Sequence, residues 1–162
     1  MFRTILLTFI LSLSPLTALG CSCISEAKTY EETFKKYDAI FTGIALNTET
    51  TPGDWSSSFY KTEMQVQKVW KNRDVMRSVF IKTYTERNSC GGPVPTIGNR
   101  FLVFAHSTPD GLYVTGGCSM FMDLDQTEKE VGSLSSEAKL EWEAIKAEIW
   151  SALGKPLIVF RN

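Results

Sequence analysis

The clearest pattern along the chain is an alternation of apolar and polar residues over residues 59–71. The side chains that share its apolar side are those of Tyr60, Thr62, Met64, Val66 and Trp70. A period of two is typical of a half-buried strand, although Lys68 interrupts the apolar side. Further strand-like runs occupy residues 37–46, 78–84, 100–106 and 112–118. The pattern therefore predicts five strands in sequence.

The period changes in the last third of the chain, where Ala138, Trp142, Ile145 and Ile149 recur at helical spacing. Ser135 is a suitable N-cap, and glycine and proline follow at positions 154 and 156. We therefore expect one C-terminal helix at about 135–153, with this apolar face in the core. Residues 30–37 predict a shorter helix, and residues 157–160 a short final strand.

Two polar segments separate the predicted strands. Residues 47–58 carry Pro52-Gly53 and predict a loop, and residues 85–98 predict a second loop. Gly43 lies inside the first strand, which predicts a bulge or a close backbone approach there. Five strands with flanking helices indicate a mainly β, single-domain fold over residues 21–162. A five-stranded OB-fold barrel is the expected architecture, and a β-sandwich is the alternative. Strand order does not follow from the pattern.

The first twenty residues have the features of a secretory signal peptide. Arg3 precedes an apolar run at residues 4–13, which is too short to span a bilayer, and Ala18-Leu19-Gly20 supplies small residues for cleavage. We expect a mature chain that starts at Cys21 and is secreted or periplasmic. Ala18-Leu19-Gly20-Cys21 also partly resembles a lipoprotein signal, and acylation of Cys21 would anchor the chain to a membrane.

The charge of the chain is close to balanced. Removing Arg3 with the signal peptide takes the formal net charge from −1 to −2. A nucleic-acid surface needs a basic face, so this balance argues against a nucleic-acid partner. No later segment is apolar and long enough to cross a membrane. We expect a monomer with no membrane contact, unless Cys21 is lipidated.

Four cysteines at positions 21, 23, 90 and 118 would enter an oxidising compartment after export. A Cys21–Cys23 bond would close a small, strained ring, which leaves two pairings open. Both tie the amino terminus to two distant points, and each bond is worth about 4 kcal/mol in the chain-entropy model. A structural zinc site is the alternative, but the spacing lacks the paired CxxC that such sites use.

The sequence contains few of the side chains that nucleophilic or acid–base catalysis requires. His106 is the only histidine, lies within an apolar strand and has no nucleophile motif beside it. Paired cysteines would leave no free thiol for nucleophilic catalysis, so we expect no enzyme activity. A thiol oxidoreductase or metal carrier that uses Cys21-x-Cys23 is a further hypothesis, and it requires free thiols.

Several short motifs occur in the order found in one family. They are Cys21-Ser22-Cys23-Ile24 at the mature start, the apolar run 38–43 ending in Gly43, Ser89-Cys90-Gly91, Asp110-Gly111-Leu112 and Gly117-Cys118-Ser119. Together they resemble the inhibitory domain of the tissue inhibitors of metalloproteinases, a netrin-like OB-fold. The resemblance extends from Cys21 to about residue 153.

The resemblance implies the disulfide pairs Cys21–Cys90 and Cys23–Cys118. It also implies that the free amine and carbonyl oxygen of Cys21 chelate the catalytic zinc of a bound protease, while the chain itself carries no cofactor. The partner would be a zinc metalloprotease. An open coordination position and an α-amine that titrates close to neutral pH are compatible with this chemistry.

The same resemblance assigns a contact ridge around the amino terminus. Ser22 would enter the main specificity pocket of the protease, Ile24 would pack beside it, and Asn88 and Ser89 would share the ridge. Trp55, in the predicted 47–58 loop, is a candidate exposed anchor.

The chain departs from the family in two respects: four cysteines allow no third disulfide, and Ser25 replaces a proline. We therefore expect a minimal, single-domain relative. The alternative function is a non-inhibitory netrin-like protein-binding module, which would share only the fold.

Overall fold

A computed structural model of the chain describes residues 29–52, 58–85, 92, 94–116, 119–125 and 135–161. The predicted signal peptide, all four cysteines and Trp55 lie outside the described residues. So do the other residues of the predicted contact ridge, Ser22, Ile24, Asn88 and Ser89. Among the described residues, no helix combines the length and the apolar character needed to cross a membrane.

Two helices and seven strands make up the described part of the chain. In chain order they are α1 Tyr30–Lys35, β1 Ala39–Thr51, β2 Phe59–Lys71, β3 Ser78–Tyr84, β4 Arg100–Ser107, β5 Tyr113–Thr115, β6 Phe121–Asp123, α2 Ser136–Leu153 and β7 Ile158–Val159. All five predicted strands are present, as are both predicted helices and the final strand. β6 was not predicted. Residues 47–51, predicted as loop, belong instead to β1.

Five of the strands form a closed barrel in the order β1-β2-β3-β5-β4, and β1 pairs with β4 to close it. All contacts between neighbouring strands are antiparallel except that between β3 and β5, which is parallel. β6 extends the sheet beyond β4, and β7 pairs with β2. The predicted mainly β OB-fold barrel with a C-terminal helix is confirmed, and the β-sandwich alternative is wrong.

Residues 39–45 of β1 and residues 101–105 of β4 are buried on both faces, which explains why these two segments are nearly continuous apolar runs. The inner core of the barrel includes Phe41 from β1 and Val103 from β4. Ile40 and Phe104 point outward, into a second core that α1 and α2 cover. A strand between two apolar layers loses the alternation of a strand that faces water on one side.

A β-bulge explains the misplaced Lys68. In the register between β1 and β2, Thr42 faces Lys68 while Gly43 faces Val66, so β2 contributes one extra residue. The bulge changes which residues face inward, so that Val69 is buried and Lys68 is exposed. Gly43 is required at this point, because a Cβ there would lie 3.0 Å from the carbonyl oxygen of Gln65.

The predicted apolar face of α2 enters the core only in its second half: Ile149 is fully buried and Ile145 packs against the outer core, while Ala138 and Trp142 are half-buried. The Ser135 side chain accepts a hydrogen bond from the backbone N–H of Ala138 at 3.3 Å. At the other end of α2, the indole N–H of Trp70 donates to the carbonyl oxygen of Gly154 at 2.9 Å. The ring of Trp70 also packs against that of Trp150, with centroids 5.6 Å apart. These contacts attach the end of α2 to the barrel.

Lys71, at the end of β2, attaches α1 to the barrel in a similar way. Its ammonium donates to the carbonyl oxygens of Phe34 and Lys35, at 3.1 and 2.9 Å. The last carbonyls of a helix have no partner within the helix, so a cation at this position supplies both hydrogen bonds and favourable charge.

Replacing Lys71 with methionine should lower the free energy of unfolding by about 1 kcal/mol, because both carbonyls lose their charged donor. Urea denaturation followed by circular dichroism measures the change. Lys68→Met is the matched control, because Lys68 is exposed on the same strand and makes no side-chain hydrogen bond in the described part of the molecule. Equal effects of the two substitutions would contradict the capping role.

Candidate functional site

Three strand ends lie side by side at one end of the barrel. Phe59, the first residue of β2, pairs with Thr51 at the end of β1 and with Tyr84 at the end of β3. Next to them, the backbone N–H and the hydroxyl of Thr85 both donate to the carbonyl oxygen of Ser58, each at 3.1 Å. The segments that follow β1 and β3 therefore begin at the same end of the barrel, on either side of the start of β2.

The chain that returns toward β4 contacts the same end of the barrel at Gly92. A Cβ added to Gly92 would lie 2.8 Å from Cγ2 of Thr83 and 3.6 Å from the carbonyl carbon of Gly116. Thr83 is fully buried, and its hydroxyl lies 3.2 Å from that of Thr115. Gly92 is thus packed between the ends of β3 and β5, where only a residue without a side chain fits.

Gly116, the residue that follows β5, is also held at this end by hydrogen bonds. Gly116 and Ser119 are joined by two hydrogen bonds: the Ser119 backbone N–H donates to the Gly116 carbonyl oxygen at 2.8 Å, and the Gly116 N–H donates to the Ser119 hydroxyl at 3.0 Å. Ser58, Thr83, Thr85, Gly92 and Gly116 together define what we call the loop end of the barrel.

The predicted site residues Cys21, Ser22, Cys23, Ile24, Asn88 and Ser89 lie outside the described residues, so their arrangement remains a prediction. The described residues near two of the cysteines are informative. Gly92 is two residues from Cys90 along the chain, and Gly116 is two residues from Cys118. The structure places Gly92 beside Gly116, although the sequence alone did not indicate that these two segments lie close together.

The outer face of β2 and β3 carries an aromatic and basic surface that the sequence analysis did not identify. The Lys61 ammonium lies 4.2 Å from the centroid of the Phe80 ring, and that of Lys82 lies 4.3 Å from Phe59 and 4.8 Å from Tyr84. Lys61 and Lys82 face each other across the strands, and their ammonium groups diverge toward different rings. These cation–π contacts reduce the repulsion between the two charges.

His106, the only histidine in the sequence, lies at an exposed position near the end of β4. Its Nδ1 lies 3.5 Å from Oδ2 of Asp38, and its ring centroid is 5.2 Å from that of Tyr37. The backbone N–H of Ser107 donates to the same Asp38 oxygen at 3.0 Å. That hydrogen bond is the main cause of the lowered pKa of Asp38; slight desolvation opposes it, and the adjacent His106 reinforces it.

A groove of about 600 Å³ lies where α1 meets the end of α2. Its lining residues are Thr29, Tyr30, Glu31, Thr33, Glu148, Ser151 and Ala152. Within the described ranges, no group of three or more histidine, cysteine, aspartate or glutamate side chains could hold a metal ion. The loop end of the barrel is the stronger candidate site, because the predicted contact segments extend from it.

No protein-family model matches this chain, and no curated protein matches it significantly.

Replacing Gly92 with alanine should lower the free energy of unfolding by about 1–3 kcal/mol, because the new methyl group would overlap Cγ2 of the buried Thr83. The Thr83→Ser substitution removes that methyl group and keeps the hydroxyl that contacts Thr115. The double variant should therefore recover much of the loss. Urea denaturation of all four proteins gives the coupling energy, and additive effects would argue against the contact.

Replacing Asp38 with asparagine should lower the Tm by about 1–3 °C near neutral pH, since the exposed carboxylate contributes little stability. The folded-state pKa of Asp38 is lowered, so its contribution is present above the unfolded-state pKa and is lost as pH falls through the folded-state pKa. The difference between the two proteins should therefore disappear in acid. Thermal melts across pH measure it, with Glu141→Gln, at an exposed position on α2, as the control. A difference that persists or grows in acid would contradict this account.

Proposed function

We propose that the chain is an exported inhibitor of zinc metalloproteases that acts through the free amine and carbonyl oxygen of Cys21. The motifs that resemble the tissue inhibitors of metalloproteinases suggest the function, and the OB-fold barrel is the architecture that the resemblance implies. The observation that supports the proposal most is the close approach of Gly92 to Thr83 and Gly116, because the described residues that lead to Cys90 and Cys118 then lie side by side.

The covalent chain limits how far these two cysteines can lie from the loop end. Cys90 and Cys118 are each two residues from Gly92 or Gly116, a reach of at most about 7 Å along an extended chain. Disulfides Cys21–Cys90 and Cys23–Cys118 would then attach the amino terminus to this end of the barrel. Each partner cysteine is two residues along the chain from a described residue packed at this end, which favours a rigid tip.

The segment that leads from the amino terminus is also held at its far end, where Thr29 begins α1. Thr29, six residues after Cys23, caps α1 by accepting a hydrogen bond from the Glu32 N–H at 3.2 Å. Phe34 inserts α1 into the outer core, and Lys71 holds its last carbonyls. A segment held at α1 and at two disulfides would lose little conformational entropy on binding, which favours affinity.

Zinc chemistry explains why an amino terminus can inhibit. The catalytic zinc of a protease holds three protein ligands and one water, which the enzyme needs as its nucleophile. An α-amine gives up its proton to a metal more readily than a lysine side chain does. The Cys21 amine and carbonyl oxygen would displace the water, while Ser22 enters the specificity pocket. Ile24, Asn88 and Ser89 would contact the walls of the cleft.

One extra alanine before Cys21 should abolish inhibition and leave the fold unchanged, because it replaces the amine with an amide nitrogen that does not bind zinc. The test uses mature protein whose amino terminus, oxidation state and absence of lipid are established by intact mass. Inhibition is measured against a panel of catalytic domains with HExxH and HExxHxxGxxH zinc sites. Circular dichroism checks the fold.

An alanine added after Asn162 is the matched control, since it lengthens the chain without changing the amine. Full inhibition by the amino-terminally extended protein would refute chelation through Cys21. Wild-type protein that inhibits no member of the panel would refute the inhibitor function and favour the non-inhibitory binding module.

A further inference from the structure

β1 is much longer than the strand that closes the barrel against it. β4 pairs with β1 only from Ala39 to Ile44. The segment before β4 adds two more hydrogen bonds, from the Ala45 N–H to the Asn99 carbonyl oxygen at 3.1 Å and from the Gly98 N–H to the Ala45 carbonyl oxygen at 2.8 Å. Beyond Ala45, β1 continues to Thr51 and pairs only with β2 among the described residues.

The hydroxyls of Thr48 and Thr62 show which backbone groups face the open side. These residues are directly opposite each other, and their hydroxyl oxygens are 2.9 Å apart. Such closeness is typical of a non-hydrogen-bonded pair, whose N–H and C=O groups point away from the partner strand. The register has no shift between Asn47 and Thr51, so Thr50 has the same orientation as Thr48. Within the described part of the chain, residues 46–51 therefore present an open strand edge.

This edge has few of the features that usually protect one. Residues 46–51 contain no lysine, arginine or proline, Glu49 is their one charged residue, and three of the six are threonines, which favour extended backbone. Exposed apolar side chains flank its base: Leu46 is 44% exposed, and Ile97, next to the Gly98–Ala45 hydrogen bond, is 52% exposed. A free edge beside apolar side chains is the arrangement that binds extended peptides by strand addition.

We infer that this edge docks an extended backbone segment of the inhibited protease, which pairs with Thr48 and Thr50 while an apolar side chain covers Leu46 and Ile97. The inference rests on the proposed function. The edge is continuous with the loop end, because Thr51 pairs with Phe59 beside the Ser58–Thr85 hydrogen bonds. Six extended residues span about 20 Å, enough to contact a cleft wall while the amino terminus occupies the zinc site.

The test compares Thr50→Pro with Thr50→Val. Proline removes the outward N–H and places its ring on the open edge, and an edge position of this kind tolerates proline because its N–H is not used in the sheet. Valine keeps the N–H. Against the panel member that the wild-type chain inhibits most, Thr50→Pro should raise the inhibition constant about 3- to 10-fold, and Thr50→Val should leave it unchanged. Leu46→Lys should also weaken inhibition.

Hydrogen exchange of the wild-type complex provides a readout that does not depend on how any variant folds. The amides of Thr48 and Thr50 should exchange quickly in the free protein and be protected in the complex. Unchanged exchange, together with equal inhibition by both Thr50 variants, would overturn the inference while inhibition through Cys21 still stands. A wild-type dimer that Thr50→Pro dissociates would also overturn it, because the occupant would be a second copy. Absence of inhibition across the panel would remove the proposed function and this inference with it.

Discussion

The architecture depends on β1, which pairs with β2 along one edge and with β4 along the other. A strand shared by both sides of a small barrel must curve strongly, and the register shifts within β1 and β2 supply that curvature. At Gly43 the backbone of β2 comes so close that a Cβ would lie 3.0 Å from the Gln65 carbonyl oxygen. The outer core and both helices assemble on the surface that this closure creates, since Ile40 and Phe104 face outward from the two closing strands.

Local patterns were sufficient to predict the strands whose two faces differ. β2 and β3 have the predicted limits because each has a buried and a partly solvated side. The limit of β1 was missed because residues 47–51 are polar, and only pairing with β2 makes them a strand. β6 was missed because three residues carry too short a pattern, and its pairing with β4 defines it. Lys68 looked like an error in the alternation but marked a bulge, which a periodicity argument cannot locate without the partner strand.

The candidate site shows the same contrast: some of its features follow from local sequence motifs, and others depend on contacts between distant parts of the chain. Motifs near the four cysteines could be read directly from the sequence, and they gave the chemistry of the proposed inhibitor. The meeting of Gly92 with Thr83 and Gly116 could not be predicted, because it requires the parallel contact between β3 and β5. Strand order did not follow from the pattern, so neither did the neighbours of each loop. The aromatic and basic surface of β2 and β3 could have been found by applying the alternation to polar as well as apolar positions.

The difference in length between the closing strands connects the fold to the proposed interaction. β1 has 13 residues and β4 has 8, so closing the barrel uses only the first part of β1. The remainder stays ordered because β2 continues beside it, and β2 is held in turn by β3 as far as Tyr84. An open edge supported in this way keeps its extended backbone, and no other strand among the described residues pairs with it. Its backbone can therefore pair with another chain at little entropic cost, at the end of the barrel where the amino terminus is proposed to bind zinc.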